Sequence, residues 1–289
     1  MLLMAKKQEK ALPLRVLTAI NSNTQLRIGS IILALMLLVI LFTPLLVQQD
    51  PEALNGEMLL PPGTDGYLFG TDGMGRDMFG RILYGARTSI MIGLVSALIS
   101  GVVGTLIGGV AGFFGGRFDQ IISEITSVFL MIPTFFLILI IVAVFGSSML
   151  NVMIVIGLTS WPSNARHMRV QALSLKERTF IKSVTAIGET RMQVLFRYII
   201  PNGIFPVIAN TTLSVAGAIL TEAGLSFLGL GDPNVISWGQ MIYHGKSFMA
   251  SAWWVATLPG IATVLLVVCF YLIGDGLNVV LNPKLKSQE

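Results

Sequence analysis

Few residues of this 289-residue sequence have types and spacings suited to covalent chemistry. Gly239, Gly245, Lys246 and Ser247 together have the composition of a loop whose backbone N–H groups cradle a polyphosphate. That loop has four residues between its glycines, and five separate them here. Gly224-Leu225-Ser226-Phe227-Leu228-Gly229 sets a serine between glycines, as a nucleophile elbow does, but is one residue too long. A metal centre needs three or four convergent ligands, and the chain offers His167, His244 and a lone Cys269 inside an apolar run. The polar residues that do recur at helical spacing are neutral: Asn210, Ser214, Gly217 and Thr221 share one helix face. Such groups join helices by hydrogen bonds or line a polar path.

Composition decides what elements carry these residues. The chain is 54% hydrophobic and only 12% charged, about half the charge of a soluble domain. Charge-free runs lie between Arg27 and Asp50, Arg87 and Arg117, Glu124 and Arg166, Arg197 and Glu222, and Lys246 and Asp275. A spanning helix needs about 20 apolar residues. Four runs hold one span each, and the long third run holds two, divided near Gly146-Ser147-Ser148. The expected architecture is an all-α membrane protein of six transmembrane helices.

Sidedness follows from Lys and Arg, which stay cytoplasmic in short loops. Lys6, Lys7, Lys10, Arg15 and Arg27 precede the first span. Arg166, Arg169, Lys176, Arg178, Lys182, Arg191 and Arg197 follow the fourth, and Arg117, Lys284 and Lys286 join the same side. Arg76, Arg81, Arg87 and Lys246 fall on the other. Both termini are expected in the cytoplasm, and His167 and His244 on opposite faces. The net charge of +4 thus reflects topology, and no aromatic-interleaved patch or module points to nucleic acid. The first run, preceded by 27 residues and lacking a cleavage site, is expected to be a retained anchor.

Residues 1–27 form a cytoplasmic segment, 28–47 a lipid-exposed first span and 48–87 an outer loop. Asp77 to Arg87 is expected as a short interfacial helix. Residues 88–280 form a five-helix core and 281–289 a tail. The second span, about 88–114, carries Gly93, Ala97, Gly101, Gly104, Gly108 and Gly112 on one face, which suits close backbone packing or a hinge. Pro133 interrupts the third span, 125–145, and Pro162 the fourth, which begins at Met149. The fifth, 199–221, starts with Pro201 and Pro206 and ends near Glu222, which is expected to snorkel. The segment 223–253 is expected to fold back on the bundle before the sixth span, 254–272.

The cytoplasmic segment repeats Phe180, Val184 and Ile187 at i, i+4 and i+7 before Gly188, a short amphipathic helix with a glycine stop. An apolar stripe of this kind fits a partner's groove better than a solvated basic loop.

At four blocks the chain resembles the permease subunits, of the shorter type, of the dipeptide/oligopeptide/nickel class of ATP-binding-cassette importers. The blocks are Phe69-Gly70-Thr71-Asp72 with Gly75-Arg76-Asp77 and Gly85-Ala86-Arg87; Thr179 to Pro201; Leu225 to Gly239, including Gly229, Gly231 and Trp238; and Gly274-Asp275-Gly276-Leu277 with Asn282-Pro283. The family's cytoplasmic signature is Glu-Ala-Ala, three residues, Gly, nine residues, then Ile-x-Leu-Pro. Here Lys182-Ser183-Val184, Gly188 and Tyr198-Ile199-Ile200-Pro201 stand at that spacing, with Lys182 and Val184 departing from it.

The resemblance implies the transmembrane fold of a type I importer in the inner or plasma membrane of a prokaryote. It implies a coupling helix at about 179–191, in which Thr179, Phe180, Lys182, Ser183, Val184, Ala186, Ile187, Gly188 and Glu189 meet an ATPase. It further implies no catalysis and no cofactor in this chain, with ATP and Mg held by two ATPase subunits, a second permease subunit, and an extracytoplasmic substrate-binding protein. Short peptides are the expected cargo, with nickel or another metal chelate and oligosaccharides as alternatives. A secondary transporter or channel without ATPases is the rival of another class, and nearly charge-free spans argue against it.

Overall fold

In lipid every backbone polar group must be satisfied within the protein, so apolar runs of this length fold as helices. The computed structural model describes residues 20–47 and 49–281. Lys6, Lys7, Lys10, Arg15, Asn282, Pro283, Lys284 and Lys286 lie outside the described residues.

Ten helices follow in order among the described residues: α1 (Thr24–Leu46), α2 (Met78–Phe114), α3 (Gly116–Met131), α4 (Thr134–Phe145), α5 (Met149–Lys176), α6 (Thr179–Ala186), α7 (Arg191–Gly203), α8 (Phe205–Phe227), α9 (Trp238–Gly245) and α10 (Trp254–Leu281). A π-turn, Leu195–Ile199, lies within α7. The helices α1, α2 and α10 are each long and apolar enough to cross a membrane. The pairs α3/α4 and α7/α8 are bent by 86° and 61°, and counting each pair as one span gives up to five. The expected six are therefore not reached: the expected fourth span, from Met149, falls on α5, 28 residues long, whose Asn151, Thr159, Ser160, Ser163, Asn164 and Arg166 lower its hydropathy.

Several expected boundaries move. No separate interfacial helix precedes the second span. Asp77 caps α2 by accepting from the Phe79 and Gly80 amides, and the helix then runs unbroken for 37 residues, about 55 Å at 1.5 Å per residue. Pro133 does more than kink the third span: it is the N-cap of α4 at a near-right-angle break. Helix α5 continues to Lys176, so the expected cytoplasmic segment begins inside a helix. Glu222 does not snorkel; it is buried, and its Oε1 accepts from the Ser226 and Ser237 hydroxyls at 2.8 Å each.

The small-residue face of α2 is a packing surface. A Cβ on Gly108 would overlap the Ala165 carbonyl of α5, and one on Gly93 would meet Ile219 and Val215 of α8. At the N-terminal end of α2, the segment leading into α9 folds over the bundle. Trp238 of α9 is buried, and its indole N–H donates to the Ile82 carbonyl at 2.9 Å. Helix α1 packs on α10, where a Cβ on Gly29 would meet Ile273, and leaves Leu35, Leu38, Leu41 and Leu45 exposed, as a peripheral lipid-facing helix does.

Candidate functional site: a short exposed helix and a neutral cavity

Helix α6 covers eight residues, and its attachment depends on an inward face missed by the spacing argument. Ile181 is 3% exposed and packs with Met168 and Ala172 of α5 and Val194, Leu195 and Ile199 of α7, and Val184 joins them. Thr179, Phe180, Lys182, Ser183 and Ala186 are exposed, and so is Ile187 at the C-cap, at 81%. The apolar residues therefore divide: Ile181 and Val184 anchor the helix, while Phe180 and Ile187 project from it. The missed signal was Ile181-x-x-Val184, an i, i+3 pair on the face beside the one read.

Gly188 ends the helix with φ of +97°, a conformation glycine adopts without steric cost. No atom lies within 4 Å of where its Cβ would be. Glu189 then turns inward, its Oε1 accepting from the Tyr198 hydroxyl at 3.2 Å and lying 3.7 Å from Arg197. Lys182, at the signature's acidic position, pairs instead with Glu177 at 3.2 Å on the exposed surface.

The neutral polar face of α8 divides as well. Ser214, Gly217 and Thr221 line a cavity of about 270 Å³, shared with Thr134 of α4 and with Thr159, Ser160 and Ser163 of α5. Asn210, expected to share that lining, does not line this cavity. Its amide donates to Asn164 Oδ1 at 2.8 Å and to Ser163 at 3.2 Å, while Asn164 donates to Ser100 of α2 at 2.9 Å and accepts from Thr211 at 3.2 Å. The fully buried Asn164 therefore ties α2, α5 and α8 together. Toward the α6 end, Arg169 of α5 makes two bonds to Asp119 of α3, at 2.5 and 2.8 Å.

The residues expected in the outer-loop motif fall into two structural groups. Asp72 accepts from the Met74 and Arg76 amides and from Arg76 Nε at 2.7 Å. Glu52 bridges Arg76 at 2.8 Å and Arg81 at 2.6 Å. Gly75 sits at φ +77° against Gly56, whose carbonyl a Cβ would overlap. A Cβ on Gly231 would meet the Ser226 hydroxyl, and Gly229 turns the chain at φ +84°. Trp238 of α9 packs in the core against α2.

Among the described residues no group of three or more His, Cys, Asp or Glu is arranged to hold a metal ion. The phosphate-loop-like residues close α9: Gly245 packs on Val255 and Ala256, and the Lys246 ammonium lies 4.2 Å from the Tyr243 ring centroid.

Comparison with known proteins agrees with this geometry. The chain is 36% identical over 269 residues to the dipeptide transport system permease protein DppC of Alkalihalophilus pseudofirmus, covering 93% of this chain and 88% of that one. It is 37% identical over 263 residues to the probable D,D-dipeptide transport system permease protein DdpC of Escherichia coli, covering 90% and 88%. With the oligopeptide transport system permease protein OppC of Bacillus subtilis the identity is 32% over 268 residues, covering 92% and 88%. Its fold is similar to a chain from inward-facing conformations of the MetNI methionine ABC transporter, with a TM-score of 0.54 at 21% identity over 70% of this chain and 97% of that one. Residues 104–287 match the profile described as binding-protein-dependent transport system inner membrane component, and the chain belongs to that family.

Proposed function

We propose that this multi-pass membrane protein is the non-catalytic permease of an ATP-driven importer of short peptides and forms half of the translocation pathway. In this reading α5 is the fourth of six spans, both termini are cytoplasmic, residues 88–280 are the permease core, and α1 is a peripheral anchor. A second homologous permease supplies the other half. Two cytoplasmic ATPase subunits hold ATP and Mg, and an extracytoplasmic binding protein delivers cargo. Peptide cargo is supported by the relatives, which are named for dipeptide, D,D-dipeptide and oligopeptide transport.

The observation that carries the reading is the connection between docking helix and cavity. Helix α6 is clamped by Ile181 and Val184 to α5 and α7, α7 turns by 61° into α8, and α5 and α8 both line the neutral cavity. An ATPase that grips Phe180 and Ile187 and moves on binding ATP therefore pulls on both walls of the pathway. The permease needs only different contact energies with the ATPase in its two states. The cavity wall of hydroxyls, glycine and apolar groups carries no fixed charge, so it suits a substrate whose backbone amides hydrogen-bond and whose side chains vary.

The test is Gly188→Asp in the assembled importer, a change at an open position that forces a side chain into left-handed backbone. ATPase binding and ATP-driven uptake are expected to fall together. Unchanged binding and uptake would remove α6 from the coupling role.

A further inference from the structure

On the end of the bundle away from α6, a polar cleft of about 550 Å³ opens between the start of α2 and the segment leading into α9. Its charged and titratable lining is Glu52, Arg76, Arg81, Arg87 and His244, beside Tyr84. Arg76 and Arg81 are balanced by Glu52 and Asp72. Asp232, next in the chain to the lining residue Pro233, accepts from the Met149 and Asn234 amides. Arg87 alone has no acidic partner among the described residues. It lies exposed over the Tyr84 ring, 5.4 Å from the centroid, and one N–H donates to the Ile40 carbonyl of α1 at 3.0 Å. His244 adds no acid: burial first, then Arg76 and Arg81, hold its pKa below the usual value. The cleft therefore has one uncompensated cation, positioned by an aromatic ring and a carbonyl, with further donors from Asn234 and Gln240 on its walls.

We propose that this cleft seats a carboxylate side chain of the substrate-delivering binding protein, with Arg87 as its ion-pair partner. The proposal rests on the permease reading above. A protein acid fits better than the cargo's own carboxylate, because the cleft shares no lining residue with the central cavity. It fits better than a lipid headgroup because, although Arg87 bonds the Ile40 carbonyl of α1, no α1 residue lines the cleft and most of its lining comes from the segments around Glu52, Arg76 and Pro233–His244. Exposed ion pairs of this kind act mainly on encounter rate and its salt dependence.

The experiment uses the complete transporter in nanodiscs with its binding protein. It compares wild type, Arg87→Glu, Arg87→Lys, and Pro233→Glu, which adds an acid to the exposed lip without touching Arg87. Binding-protein affinity is measured at low and high salt, beside ATPase rates with and without the binding protein. Arg87→Glu and Pro233→Glu are expected to weaken binding about tenfold at low salt and to flatten its salt dependence, while Arg87→Lys retains most of it and basal ATPase holds. Wild-type affinity in both acidic variants overturns the proposal. So does weakened uptake with unchanged binding-protein affinity, which would assign the cleft to cargo, or an effect seen only with anionic lipid, which would assign it to a headgroup. A wild-type complex that ignores the binding protein would instead defeat the permease reading itself.

Discussion

Asn210 of α8 donates to Asn164 of α5 at 2.8 Å and to Ser163, a residue that lines the neutral cavity, at 3.2 Å. Asn164 is fully buried and also engages Ser100 and Thr211, so one side chain connects three helices. Interhelical hydrogen bonds in membranes contribute about 0.6 kcal/mol each on average. Loss of a shared hub leaves several groups unpaired, so Asn164→Ala is expected to destabilise the protein by about 1–2 kcal/mol. Thermal unfolding of the purified protein checks this, with Asn164→Gln recovering part of the loss.

Helices α2 and α5 approach so closely that only glycine fits at position 108. Gly108→Val is expected to abolish the monodisperse peak in size-exclusion chromatography, because backbone rather than a flexible side chain stands in the way. Gly217→Ala is the control: nothing lies within 4 Å of its Cβ position, and the fold is expected to survive.

The two faces of α6 should separate stability from docking. Ile181→Ala removes a buried anchor and is expected to cost about 2–5 kcal/mol, read as a lowered Tm. Ile187→Ser changes an exposed residue and is expected to leave Tm within about 1 °C, since surface changes lie within about 0.5 kcal/mol, while weakening affinity for the ATPase subunits. Equal effects of the two variants on both readouts would contradict this division.

His244 gives a pH signature. Burial first, then the nearby Arg76 and Arg81, lower its folded pKa from an ordinary value near 6.5. The folded state resists protonation, so stability is full above the unfolded pKa and falls as pH drops below it. His244→Gln is expected to lessen the loss of Tm between pH 8 and pH 5.5.

Much of the fold was legible because apolar runs in a membrane protein have few alternatives. The charge-free stretches located α1, α8, α10 and the apolar parts of α2 and α5, and the glycine steps of α2 identified its packing face. Helix ends were less legible. Pro133 gave no indication whether the chain would kink or break by 86°, since that depends on what packs around the freed carbonyls. Helix α5 ran past Arg166 because Arg169 finds Asp119, fifty residues earlier in the chain. Within the site, Ser214, Gly217 and Thr221 were legible from helical phase, whereas the inward bond of Asn210 required knowing that Asn164 faces it. Ile181 was missed because the stripe through Phe180 and Ile187 was read as one face, although the short helix is apolar on two.

The most direct measurement of the central claim is accumulation of a radiolabelled dipeptide by proteoliposomes. One set contains this chain alone, and the other the chain with its second permease, ATPases and binding protein. The account predicts accumulation above the external concentration only in the complete assembly, only with ATP on the α6 side, and lost with Gly188→Asp. Accumulation by this chain alone, without ATP, would contradict it.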